Sequence, residues 1–275
     1  MNKLQHKTLP QEGYVIHYFV SGTQNKETIV FLHPAFSDHT CFYKQVEFFA
    51  QNFQVITIDL LGHGLSRPEK GKDKIDKSAE HINEILQKEN VEKAHIVGVS
   101  MGSLIAQYFA LQYPKQTSSL TVLGGYNINH DNKEVNRTQR KEMFRWLFKV
   151  IFSMDAFRKY TGSVSALNQE EQVRFYESAK GFTRKSFPAM SGLGNIIKER
   201  KFVPRSYPLL ILTGEKDIEI AKKAACEWHK EEPDSHFFSI ENAGHCANMD
   251  NAEQFNTIVS EFIILPLATA SVLML

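Results

Sequence analysis

The sequence is poor in cysteine, evenly balanced in charge and without an apolar run long enough to cross a bilayer. Its three cysteines, Cys41, Cys226 and Cys246, are an odd number with no CxxC spacing. That argues against a disulfide framework and a structural zinc site and suits a reducing, cytoplasmic setting. Thirty-two Lys and Arg stand against thirty-one Asp and Glu, a formal charge of +1, so no global field selects nucleic acid or an anionic membrane. Met1 to Pro10 holds no apolar core of a secretory signal, so secretion by that route is not expected. The apolar stretch Ile263 to Leu275 is interrupted by Pro266 and is shorter than the ~20 residues of a spanning helix. It reads as an extension of the last helix or a cloning remnant in preference to a membrane anchor. Neither an HExxH nor a His-x-His set is present, nor a P-loop, nor a complete GxGxxG; Gly192-Leu193-Gly194 falls in a helical stretch. No metal and no cofactor are expected.

What is present is the composition of a soluble globular protein: 275 residues, 42% apolar and 23% charged, enough chain to bury a sizeable core. Short β-branched runs alternate with amphipathic stretches. Tyr14 to Val20, Thr28 to Leu32, Val55 to Ile58, Ala94 to Val99, Leu120 to Leu123, Leu209 to Thr213 and Phe237 to Ile240 read as strands. Between them, Ile75, Ala79, Ile82 and Leu86 recur at helical spacing and put one apolar stripe toward a sheet. Strands apolar throughout indicate a sheet covered on both faces. The fold class is therefore α/β, with a mostly parallel central sheet and helices on both sides.

From Tyr126 to about Val203 the rhythm stops. Met143, Phe144, Trp146, Leu147, Phe148, Val150, Ile151 and Phe152 crowd one segment, and amphipathic patches follow around Phe157 and from Val173 to Tyr176. This predicts a helical insertion at 126–203, placed on a core made of 1–125 and 204–275.

The sharpest local feature is Gly98-Val99-Ser100-Met101-Gly102, between the strand at Ala94 and the helical run Leu104 to Leu111. A serine on a tight strand-to-helix turn has its hydroxyl thrust out of the sheet, and small residues two before and two after allow the turn. The following helix aims its first N–H groups at negative charge forming beside Ser100. A serine needs a base to take its proton. Among eleven histidines, His245 follows the strand Phe237 to Ile240 in the loop Asn242-Ala243-Gly244, beyond a carboxyl end where open α/β sheets place ligand-contacting groups. His95 begins a strand, while His33 and His63 lie in turns whose backbone is expected to matter more than their rings. An acid must hold the imidazole. Asp217, after Leu209 to Thr213, is favoured over Glu215, which is expected to point along the turn beside Gly214. The oxyanion of an acyl-transfer intermediate needs two backbone donors. Met101 supplies one and Ala35, in the turn His33-Pro34-Ala35-Phe36, the other, because Pro34 has no N–H.

The order of these parts resembles the α/β-hydrolase superfamily from Tyr14 to Phe262. The resemblance matches its nucleophile elbow to Gly98–Gly102, its acid to Asp217, its histidine loop to Ala243-Gly244-His245 and its oxyanion turn to His33-Pro34-Ala35. Asp59-Leu60-Leu61-Gly62-His63-Gly64-Leu65-Ser66 is similar to the loop that members with a small cap carry after their next strand. One departure is that the family's oxyanion turn usually reads His-Gly, where this chain has His33-Pro34. Relatives that attack with aspartate are set aside by Ser100. The resemblance implies a serine hydrolase of a small apolar ester or related acyl compound, working through an acyl-enzyme with Ser100, His245 and Asp217. Phe36, Trp146 and Phe148 are candidate substrate contacts. The alternatives left open are carbon–carbon bond hydrolysis, lactone opening or perhydrolysis on the same fold, or a small-molecule receptor with little turnover. The aromatic residues of the insertion suit either an apolar ligand or the insertion's own core.

Overall fold

The computed structural model describes residues 4–68, 72–130, 149–201 and 204–264. Its centre is an eight-stranded sheet: β1 (Gln5–Gln11), β2 (Tyr14–Ser21), β3 (Thr28–Leu32), β4 (Gln54–Ile58), β5 (Ala94–Val99), β6 (Thr117–Leu123), β7 (Leu209–Gly214) and β8 (His236–Ile240). In space the order is β1-β2-β4-β3-β5-β6-β7-β8. β1 and β2 form an antiparallel hairpin and β2 runs antiparallel to β4, while every later pairing is parallel.

The seven strands expected from the sequence are all present, each within three residues of its predicted start and one of its end. β1 was not expected. Its sequence, QHKTLPQ, carries little apolar signal and contains Pro10. An edge strand tolerates both, because one side of it needs no ladder partner. It is held by register with β2, from Gln5 opposite Val20 to Gln11 opposite Tyr14.

The parallel strands are buried on both faces, and alternate residues enter different cores. Val30, Leu32, Ile56, Ile58, Ile96, Val122 and Ile211 pack on one side, where α2 (Ser78–Lys88), α3 (Met101–Gln112) and α8 (Glu219–Glu231) lie. Ile29, Phe31, Val55, Val97, Val99, Leu210 and Leu212 pack on the other, against α1 (Tyr43–Phe49), α9 (Ala247–Asp250) and α10 (Ala252–Ile264). Each such fully buried side chain contributes about 1.5–3 kcal/mol of transfer free energy. Ile75, Ala79, Ile82 and Leu86 are all buried in the first core, so the predicted stripe faces the sheet.

Between β6 and β7 the described residues are helical, as expected. They form α4 (Met154–Ser165), α5 (Gln169–Ser178) and the single turns α6 (Phe187–Met190) and α7 (Leu193–Ile196). Ser153 caps α4 by accepting from Ala156 N–H, and Asn168 caps α5 by accepting from Glu170 N–H. Phe157 is fully buried among Phe36, Phe182 and Phe187, and Phe175 packs into the second core. Phe152, by contrast, is 71% exposed. Phe144, Trp146 and Phe148 lie outside the described residues, as do 265–275 of the apolar C-terminal stretch. Among the described residues no helix is long and apolar enough to cross a membrane.

Candidate active site

β3 and β5 are neighbours in the sheet although β4 intervenes in sequence, so the turns beyond their carboxyl ends meet. Such a reversal of strand order opens the crevice in which α/β sheets bind ligands. Ser100 stands there between β5 and α3 with φ +52° and ψ −116°. A non-glycine residue in that region stores about 1–3 kcal/mol of strain. The strain is held by its neighbours: Ser100 N–H donates to Leu123 O at 2.7 Å, and its carbonyl accepts from Ser103 N–H at 2.9 Å and Ser103 Oγ at 2.5 Å. The flanking glycines are sterically required. A Cβ on Gly98 would sit 2.3 Å from Gly102 O, and one on Gly102 would sit 2.1 Å from Leu32 O.

His245 reaches Ser100 from the loop after β8. Its Nε2 lies 2.8 Å from Ser100 Oγ, and its Nδ1 lies 3.0 Å from each carboxylate oxygen of Asp217. An ionised carboxylate only accepts, so Nδ1 carries the proton and Nε2 presents its lone pair to the serine hydroxyl. Asp217 is buried, and its Oδ1 also accepts from Ile218 N–H at 2.7 Å. Burial lowers the His245 pKa, but the charge of Asp217 and its hydrogen bond outweigh burial and leave it raised. Glu215 is turned elsewhere: its Oε2 accepts from Asn242 N–H at 2.8 Å.

The other histidines are arranged differently. His95 bonds Ser119 Oγ inside the sheet. His33, whose turn is expected to act more through its backbone than through the ring, uses the ring as well. His33 Nε2 accepts from Leu60 N–H at 3.0 Å and Nδ1–H donates to Pro34 O at 2.8 Å, so the ring pins two turns together. Burial drives its pKa down to about 4, and that of His63 to about 3. Ala35 follows Pro34 in the turn after β3, and Met101 opens α3, where the first N–H groups of a helix have no intrahelical acceptor. Phe36, at φ +72°, is buried with its ring 5.0 Å from those of both Phe157 and Phe182. Trp146 and Phe148, the other candidate substrate contacts, fall outside the described residues.

Two close neighbours of His245 escaped the sequence reading. Gly124 (φ +63°) follows β6 and lies against the ring. The doublet Gly124-Gly125 immediately after a strand was the available signal. Asp250, in α9, accepts from Gly244 N–H beside the histidine, and no pattern in the sequence marks it. Among the described residues no group of three or more His, Cys, Asp or Glu could hold a metal ion.

A serine elbow beneath a histidine and a buried carboxylate, on a mostly parallel sheet, is the layout of an α/β-type hydrolase. Residues 27–149 match the model of the alpha/beta hydrolase fold family, and the eight-stranded, mostly parallel sheet with its helices is the α/β-hydrolase fold. It is 26% identical to a 2-hydroxy-6-oxononadienedioate/2-hydroxy-6-oxononatrienedioate hydrolase of Paraburkholderia phymatum, over 90% of each chain. It is 24% identical to 3-oxoadipate enol-lactonase 1 of Acinetobacter baylyi, over 92% of this chain and 94% of that protein. In structure it is similar to a thermophilic esterase from Thermogutta terrifontis, with TM-score 0.79 and 20% identity over 95% of this chain and 98% of that one.

Proposed function

We propose that the protein is a serine hydrolase that cleaves an ester or related acyl substrate through an acyl-enzyme. The observation that carries this reading is the unbroken hydrogen-bonded chain from Asp217 through His245 to Ser100 Oγ, at 3.0 and 2.8 Å. Ser100 attacks the carbonyl carbon while His245 Nε2 takes its proton. Asp217 orients the ring and stabilises the imidazolium that forms. The N–H groups of Met101 and Ala35 hold the oxyanion, each such donor being worth about 10²–10³ in kcat. Collapse of the intermediate breaks the bond to the leaving group, which departs with the proton from His245. Water, giving a proton to His245, then attacks the acyl carbon, and Ser100 recovers its proton as the acid is released.

In this reading 126–203 is a cap over a core of 1–125 and 204–275, and Phe36 bounds the acyl pocket beneath it. The aromatic surroundings of Phe36 favour a small apolar substrate. Three cysteines, none of them paired, suit a cytoplasmic setting.

A second reading, hydrolysis of an oxo acid or a lactone by the same residues, is favoured by the names of the two relatives. An active-site-directed fluorophosphonate tests the nucleophile. One label mapping to the peptide with Gly98 to Gly102 is expected, whereas labelling elsewhere would refute the assignment. Turnover of acyl esters, lactones and oxo acids by wild type and Ser100→Ala then separates the two readings.

A further inference from the structure

Asp250 joins two segments that are far apart in sequence. Its Oδ2 accepts from Gly244 N–H at 2.9 Å, one residue before His245. The same carboxylate accepts from Leu167 N–H at 3.0 Å through both oxygens and from Asn168 N–H at 3.0 Å. Leu167 and Asn168 form the turn between α4 and α5. One side chain therefore satisfies three backbone donors, two on the inserted helices and one on the histidine loop. A second link runs alongside it, from Cys246 N–H to Ser165 O at 2.7 Å. Packing follows the same line: Gly244 is buried, and a Cβ built on it would lie 3.1 Å from Leu167 Cγ and 3.3 Å from Asp250 Oδ2.

We propose that Asp250 is a positioning residue for His245: it fixes the histidine loop and the α4–α5 turn in one relation, so that alignment of the imidazole depends on how the insertion is seated. The proposal rests on the reading of His245 as the base. Charge-assisted bonds to backbone N–H groups are the strong kind, and one acceptor serving both segments couples them. The loop is held on either side of Gly244, by Asn242 N–H on Glu215 Oε2 at 2.8 Å and by Cys246 N–H on Ser165 O at 2.7 Å, and Asp250 holds the residue between them. Ala243 O accepts from Lys216 N–H at 2.9 Å, and beyond it the chain turns directly to Gly244. The ring itself faces Asp217 as its charged neighbour, with Ser100 and Gly124 against its other edges. Releasing Gly244 frees the imidazole from the bottom of the loop, and the Nε2 to Oγ contact is what suffers.

The test is steady-state kinetics on a neutral p-nitrophenyl acyl ester from pH 5 to 9, comparing wild type with Asp250→Ala, Asp250→Asn, Ser100→Ala and His245→Ala. Asparagine keeps an acceptor oxygen and loses the charge; alanine loses both. Misplacement of a reacting group by an ångström costs up to about 10²-fold, so Asp250→Ala is expected to lower kcat about 10–100-fold with KM changed by less than about threefold. The acid limb should move down as the hold of Asp217 on the ring loosens. Asp250→Asn should recover part of kcat, because its oxygen can replace Oδ2 between Gly244 and Leu167 while its NH2 faces Asn168 N–H. Wild-type kcat in Asp250→Ala, an equal loss in both variants, a loss carried by KM, or an unmoved acid limb would each overturn the proposal while Ser100→Ala and His245→Ala remain inactive. Should Asp250→Ala fail to fold, Asp250→Ser, whose hydroxyl is too short to span the three donors, takes its place in the comparison. Unimpaired turnover in Ser100→Ala or His245→Ala would instead overturn the triad reading, and this inference with it.

Discussion

Gly124 lies directly against the imidazole of His245: a Cβ on it would come 3.0 Å from Cε1 and 3.1 Å from Nδ1. The position adds a second constraint, since φ there is +63°. Gly124→Ala therefore meets both a left-handed backbone penalty of about 1–2 kcal/mol and a ring that must give way. The expected result is a kcat loss of about tenfold or more, since displacement of a reacting group by an ångström costs up to about 10²-fold. Thermal unfolding should fall by only a few degrees. A variant with unchanged kcat would show that the ring tolerates the extra methyl and that Gly124 serves the turn alone.

The choice of acid is tested by a pair of amides. Asp217→Asn forces the wrong imidazole tautomer, an effect of about 10⁴ in kcat where such a change has been measured in a comparable triad. Glu215→Gln should stay close to wild type, because a glutamine oxygen can still accept from Asn242 N–H. Measuring kcat for both settles the roles, and the reverse ranking would give the acid's place to Glu215.

Much of this arrangement is legible in the sequence. Ser100, Asp217 and His245 each follow an apolar run that ends in glycine-containing turns, so local pattern was enough to place each beyond a strand end. Asp250 and Gly124 were not legible in the same way. Gly124 meets His245 only when the loops after β6 and β8 come side by side, and Asp250, five residues beyond His245, gains its distant partners only when the α4–α5 turn packs against it. β1 escaped for the opposite reason: an edge strand has so little to bury that QHKTLPQ carries no alternation to read. The two bonds of the His33 ring are not legible in the sequence, because both its partners, Leu60 N–H and Pro34 O, are backbone atoms that leave no trace in residue type.

Phe157 distinguishes an aromatic core from an aromatic binding surface. It is fully buried, with ring centroids 5.0 Å from Phe36 and 5.8 Å from Phe187. Phe157→Ala should cost about 3–5 kcal/mol if the site cannot collapse. At about 2–4 °C per kcal/mol for a chain of this size, melting should fall by roughly 6–20 °C. Differential scanning calorimetry checks this. A melting point within a degree of wild type, together with a large rise in KM, would mean that the ring contacts substrate.

The histidines shift in opposite directions, and each direction has its own pH signature. His245 is raised above 6.5 because Asp217 outweighs burial. As a base it must be neutral, so the acid limb of kcat/KM should have its midpoint above pH 6.5. In stability terms the pair with Asp217 contributes fully below the unfolded value near 6.5, and that contribution is lost as pH rises through the raised folded value. His33 and His63, lowered to about 4 and about 3, behave inversely. Both are neutral in the native protein, and unfolding at pH 4 to 6.5 exposes them to protonation. The unfolded chain then binds more protons, so stability falls with acidification over that window, by about 1.4 kcal/mol per pH unit for each such histidine. His33→Asn should lower stability by about 1–3 kcal/mol if it leaves Leu60 N–H without its acceptor, and should leave the kinetic limb in place. His245→Ala should abolish most activity together with the limb. Urea titrations at pH 5 and 7, alongside kcat/KM from pH 5 to 9, read both effects in the same proteins. A limb that survives His245→Ala but disappears on replacing His33 or His63 would mean that the base is one of those two.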